Sequence, residues 1–182
     1  MGIIITIAVI AIIVLWIISV QRKLVGQDEL CQNAMSTIGV QQESRWDAHT
    51  GMVELIKSYN EHEYNTLRDV IAQRRPIDGK SSAAEVDAQE GLMGQVAAGI
   101  YVAVERYPEL KANENFIALQ DELTGTENRV ATERTRYNEA VKQYNVKIRK
   151  IPGVWFAGFM GMEPRKAFEA AAGAETAPKV EF

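Results

Sequence analysis

The chain has 182 residues, with 20 Lys and Arg against 24 Asp and Glu, a formal net charge of −4 and one cysteine. That balance offers no basic face for nucleic acid, and a lone Cys31 excludes an intrachain disulfide framework and agrees with a reducing compartment. Pro is nearly absent before Pro76 and β-branched alternation is absent outside the N-terminal run, so the periodic signal is helical. The prediction is an all-α fold. An N-terminal transmembrane helix over 3–20 continues into an antiparallel helical bundle of about four helices over 21–150, followed by a membrane-proximal apolar segment and tail over 151–182.

"IIITIAVIAIIVLWIISV", Ile3 to Val20, carries no charge over eighteen residues. At about 1.5 Å per residue it reaches roughly 27 Å, enough to cross a hydrocarbon core. A cleaved signal peptide is the rival, but no basic region precedes the run and no A-x-A-like site follows it. Gly2 and Thr6 match a myristoylation pattern that adds little to a chain already anchored by a span. Arg22 and Lys23 flank the run on its C-terminal side, so the positive-inside rule predicts a single-pass protein of the cell membrane with residues 21 to 182 in the cytoplasm.

Helix one is predicted to run on from the span without a break, with Leu24, Leu30, Ala34, Ile38 and Trp46 near one face. Helix two is placed from about Asp47 to Arg74, on a stripe of Val53, Ile56, Asn60, Glu63, Leu67 and Val70; Pro76 and Gly79 end it. Helix three opens at Ser82, three residues before Glu85 in capping-box spacing, and closes before Pro108. Its glycines, Gly91, Gly94 and Gly99, each cost about 1 kcal/mol against Ala in an isolated helix. Close helix approach compensates, either inside the bundle or against another subunit; the second alternative predicts a homo-oligomer of more than two chains. Helix four begins at the N-cap Asn113 and carries Phe116, Leu119, Leu123, Val130, Tyr137, Val141, Tyr144 and Ile148 at three and four spacing. Asn138 and Asn145 sit one step round its edge.

Chemistry is sought and not found. His62-Glu63 would need His at Thr66 for a metalloprotease helix, or Glu at Tyr59 for a di-iron bundle, and His49 is on another face. No nucleophile elbow, Walker loop or dinucleotide fingerprint occurs. The expectation is therefore no catalytic, cofactor-binding or metal-binding residue. A polar seam of Glu63, Glu127 and Arg134 reads as a register device rather than an acid and base set.

If consecutive helices alternate in direction, Arg74, Arg75 and Lys80 come to the membrane beside Lys147, Arg149 and Lys150, joining Arg22 and Lys23. "IPGVWFAGFMGM" follows at once, uncharged and too short to span. Trp155, Phe156 and Phe159 either enter the interface or belong to a hydrophobic strap over the bundle's side. The partners this implies are anionic membrane lipids, with other membrane proteins as a further class.

"YNEHEYNTL", "ERYPELKANENFIALQDELTGTENRVATERTRYNEAVKQYN" and the ending "PKVEF" resemble the LemA family over nearly the whole chain. The likeness is most specific from Glu105 to Asn145. The sequence departs at "QRKLV" and at "DAHTGMV", where the family usually has a Tyr-Asn-led segment and a proline-containing turn. The resemblance implies an N-terminal span and an all-helical antiparallel bundle without an established enzymatic activity. Some relatives are associated with membrane-organelle formation, which implies a membrane-organising role by analogy. The expected function is a self-associating scaffold that organises membrane or partner proteins without catalysis. The alternatives are an enzyme or sensor built on the polar seam, or a chaperone-like adaptor.

Overall fold

A computed structural model describes residues 1–169, so the "PKVEF" ending and most of the C-terminal tail lie outside the described residues. The first helix, α1, is Gly2–Ile56, a continuous rod in which the apolar run passes directly into the bundle. The run is long and apolar enough to cross a membrane, and none of its 18-residue window is buried in the chain. From Leu24 onward the same helix acquires a buried face.

The break expected near Asp47 does not occur. Trp46, His49, Met52, Val53 and Ile56 continue the buried spacing across it, so tertiary packing carries the helix through Gly51. Helix two shrinks accordingly to α2, Glu61–Ile71. Asn60 is its N-cap rather than a stripe residue: its side-chain oxygen accepts from the His62 and Glu63 amides at 2.9 and 3.2 Å. Leu30, expected on the buried face of α1, is exposed.

The 11 residues of α2 rise only about 16 Å, too little to bring the chain back to the membrane. Arg74 pairs with Glu43 and Asp47 of α1, roughly 35 to 40 Å beyond Val20 at about 1.5 Å per residue. The following turn lies on α1, where Gly39 has no side chain because a Cβ there would collide with the Ile77 carbonyl. The chain then turns outward again as α3, Ala83–Arg106, opened by the predicted reciprocal cap of Ser82 and Glu85. A short α4, Pro108–Lys111, leads to the Asn113 cap and α5, Glu114–Arg149. These 36 residues span about 54 Å and run back along α1 to the base of the bundle, where α6, Gly153–Phe159, closes the helical part.

The core falls into two apolar clusters. The one nearer the span gathers Leu24, Cys31, Met35 and Ile38 of α1 with Val86 of α3 and Tyr137, Val141, Tyr144 and Ile148 of α5. The distal one gathers Trp46, Met52, Val53 and Ile56 with Leu67, Met93, Val96, Ile100, Leu110 and Phe116. Each fully buried aliphatic side chain contributes about 1.5–3 kcal/mol before conformational entropy is subtracted. Gln42 and Arg45, both buried, occupy the stretch of α1 between the clusters.

Candidate functional site

The end of the bundle next to the span carries the most distinctive surface. Where α5 stops, α6 wedges against α1 and α5 with Gly153 and Ala157 buried; a Cβ at Gly153 would strike the Lys147 carbonyl. The Phe156 ring meets Trp16 edge-on with centroids 6.0 Å apart. Trp16 belongs to the apolar run, so α6 lies level with the run's final turns. Its other face is unpacked: Trp155 is 58% exposed and Phe159 95%, with Ile151 and Val154 beside them. Lys23, Lys147 and Lys150 surround a 340 Å³ groove walled by Trp16, Val20 and Ile151. Arg22 and Arg149 stand exposed next to them in sequence.

Five of the eight predicted basic residues therefore collect at this end and three do not. Arg74 is tied to α1 far from the span, and Arg75 donates its backbone N–H to Gln89 at 2.9 Å. Lys80 lies in the Asp78–Ser81 turn, and Gly79 beside it packs on Gln32 and Ser36. The shortness of α2 is the reason.

A strap does cover the bundle's side, but it is the extended segment 163–168, which follows α6. The Tyr-Asn pairs of α5 hold it. Asn145 accepts from the Arg165 amide at 3.0 Å and donates to the Arg165 carbonyl at 2.9 Å. Asn138 does the same to Phe168 at 2.8 and 3.0 Å. The Tyr144 hydroxyl donates to the Glu163 carbonyl at 3.0 Å, and burial pushes both Tyr137 and Tyr144 above the usual phenol range. Arg165 reaches Asp28 of α1 at 2.9 Å, while the Phe168 ring packs on Tyr137 at 5.2 Å. Sequence reasoning placed both asparagines at the stripe's edge without a partner; their seven-residue repeat was the available signal.

The polar seam divides. Glu127 and Arg134 converge on a layer between the two clusters, centred on Arg45 and Glu90, which were not singled out in the sequence. Arg45 meets Glu90 at 2.6 Å with its side chain only 9% exposed, and Gln42 donates to the same carboxylate at 2.9 Å. Glu127 stands 3.7 Å from Arg45, and Arg134 bridges Asp87 at 2.9 Å and Glu90 at 3.6 Å while stacking 4.6 Å from the Phe168 centroid. Glu63 is elsewhere, paired with Arg106 at the far end of α3. His49 Nδ1 lies 2.8 Å from the Arg45 carbonyl, and burial holds the imidazole below its usual pKa. These pairs link side chains of α1, α3 and α5 across the layer. Among the described residues no cluster of three or more His, Cys, Asp and Glu side chains has metal-binding geometry.

The three glycines of α3 also divide. Gly99 admits Leu67 of α2, whose methyl a Cβ would overlap, so its role is intrachain. Gly91 and Gly94 face open space with nothing within 4 Å of an added Cβ.

Residues 34–182 match the model of the LemA family, and the chain belongs to that family. Magnetosome proteins MamQ 1 and MamQ 2 of Paramagnetospirillum magneticum are each 29% identical to it over 80 residues, 44% of this chain. The match spans 29% of the length of each of those relatives.

Proposed function

We propose, with LemA membership as the premise, that this protein is a single-pass, cytoplasm-facing helical scaffold that docks the base of its bundle into the adjacent headgroup layer and self-associates to organise membrane or partner proteins. The packing of Phe156 on Trp16 carries the reading. It ties α6 to the final turns of the span, so the exposed Trp155 and Phe159 are held where amphipathic aromatics are favourable. Lys23, Lys147 and Lys150 add attraction to anionic lipid. The charged layer around Arg45 is a register device in this account, and no reaction is assigned to it. The similarity to magnetosome proteins supports a membrane-organising role.

Self-association is assigned to the open face of α3. Gly91 and Gly94 lower helix propensity without admitting any intrachain neighbour, which an approaching second chain explains. Full-length protein reconstituted into anionic liposomes and imaged at rising density should form clusters of more than two chains. Gly91→Leu with Gly94→Leu should disperse them while leaving the fold intact, since both positions are open. Isolated single chains at every density would overturn the scaffold reading.

A further inference from the structure

The groove at the base of the bundle combines two kinds of wall. Trp16, Ser19 and Val20 belong to the apolar run, so this side opens onto the depth that lipid chains occupy. The opposite side is Lys147 from the last turn of α5 with Lys150 and Ile151, the two residues after it, and Lys23 of α1 also lines the groove. Among the described residues none of these three lysines forms an ion pair, although ten close pairs involve arginines elsewhere in the bundle. Unpaired ammonium groups on flexible apolar stems, beside a hydrophobic trough, suit a ligand that is anionic at one end and apolar at the other. At 340 Å³ the trough falls within the range of about 300–1,000 Å³ typical of small-molecule sites.

We propose that this groove binds one anionic phospholipid, its phosphate held by Lys23, Lys147 and Lys150 and an acyl chain lying against Trp16, Val20 and Ile151. The inference rests on the membrane-docked reading above and deepens it from general attraction to a defined site. A free phosphate shares the headgroup chemistry but makes no use of the apolar wall.

The test uses full-length protein in liposomes, with Trp16 as reporter and Trp155→Phe to remove the second lipid-facing indole; Trp46 is buried in the distal cluster and stays silent. Phosphatidylglycerol and phosphatidylcholine brominated on the acyl chains are titrated separately into unbrominated phosphatidylcholine. Half-maximal quenching of Trp16 is expected at about tenfold lower mole fraction of the anionic lipid, since each well-placed lysine favours an anionic lipid severalfold. Lys23→Gln with Lys147→Gln and Lys150→Gln should reduce the preference to about twofold or less with helix content unchanged. Excess inorganic phosphate at constant ionic strength should leave the preference intact. Equal quenching by the two lipids, a preference that survives the triple substitution, or one erased by phosphate would each overturn the site. A parallel Trp16→Phe protein reports on Trp155: quenching there without anionic preference at Trp16 rejects the groove alone, whereas no quenching of Trp155 by either lipid rejects membrane docking of α6.

Discussion

Asn138 and Phe168 exchange both of their amide hydrogen bonds, the side chain accepting from the Phe168 N–H at 2.8 Å and donating to its carbonyl at 3.0 Å. A helix side chain here imitates the edge of a β-strand. Asn145 repeats the arrangement with Arg165 one heptad later, so the two asparagines fix the register of an extended segment that has no backbone ladder of its own. Asn138→Ala and Asn145→Ala should each cost about 1–3 kcal/mol by leaving strap backbone groups unpaired. The Phe168 and Arg165 amides should lose hydrogen-exchange protection before the α5 amides do. Asn138→Asp keeps the acceptor and should protect the Phe168 amide better than Ala does. Unchanged protection in all three variants would show that the Phe168 ring, not the asparagines, holds the strap.

Arg45 should be the most sensitive charged position in the bundle. Its side chain is nearly buried while Glu90 is 27% exposed, so truncation falls below the 3–5 kcal/mol of a fully buried pair. Arg45→Met should cost about 2 kcal/mol in chemical unfolding, and a double-mutant cycle with Glu90→Gln should give a coupling of about 1–2 kcal/mol. Glu63→Gln should show no coupling to Arg45, because Glu63 pairs with Arg106 instead.

His49 makes stability depend on pH. Its folded pKa lies below the ordinary value because burial disfavours the imidazolium; the hydrogen bond to the Arg45 carbonyl opposes this, the Arg45 guanidinium adds to it, and Glu127 and Glu90 oppose it. Below about pH 6.5 the unfolded chain takes up a proton that the folded chain refuses, so this contribution is present above that pH and is lost as the pH falls toward the folded pKa. The melting temperature should therefore fall as the pH drops from about 7.5 to about 5.5, and His49→Gln should flatten the dependence in that window.

Local signals carry the starts of α3 and α5 but not that of α2, and long-range pairings leave no mark in the sequence. Ser82 with Glu85 and Asn113 are legible caps because the atoms they satisfy lie two or three residues away. The stripe of Tyr137, Val141, Tyr144 and Ile148 is legible because helical period and burial coincide. The end of α1 at Ile56 was not, since the sequence from Asp47 onward is helix-forming on either assignment and the stop is an asparagine without Pro or Gly. That misplacement made helix two too long and moved Arg74, Arg75 and Lys80 to the wrong level. Arg45 and Glu90 escaped notice for a related reason: their pairing crosses 45 residues and depends on two apolar clusters leaving a gap between them. The apolar run 151–162 has the composition of either an interface or a strap, and the strap is formed by the polar-looking residues that follow it.

The membrane-docked base of the bundle is the centre of this account, and the depth of Phe159 tests it most directly. Phe159 is 95% exposed, so Phe159→Cys bearing a nitroxide disturbs no packing, and the native Cys31 is buried away from the label. Full-length protein in anionic liposomes would be compared with a second label at Glu109→Cys, near the distal tip, by power saturation with oxygen and with a polar nickel chelate. The nitroxide at 159 is expected to collide mainly with oxygen, at or below the headgroup boundary, whereas the one at 109 collides mainly with the chelate. A nitroxide at 159 as open to the chelate as the one at 109 would contradict it.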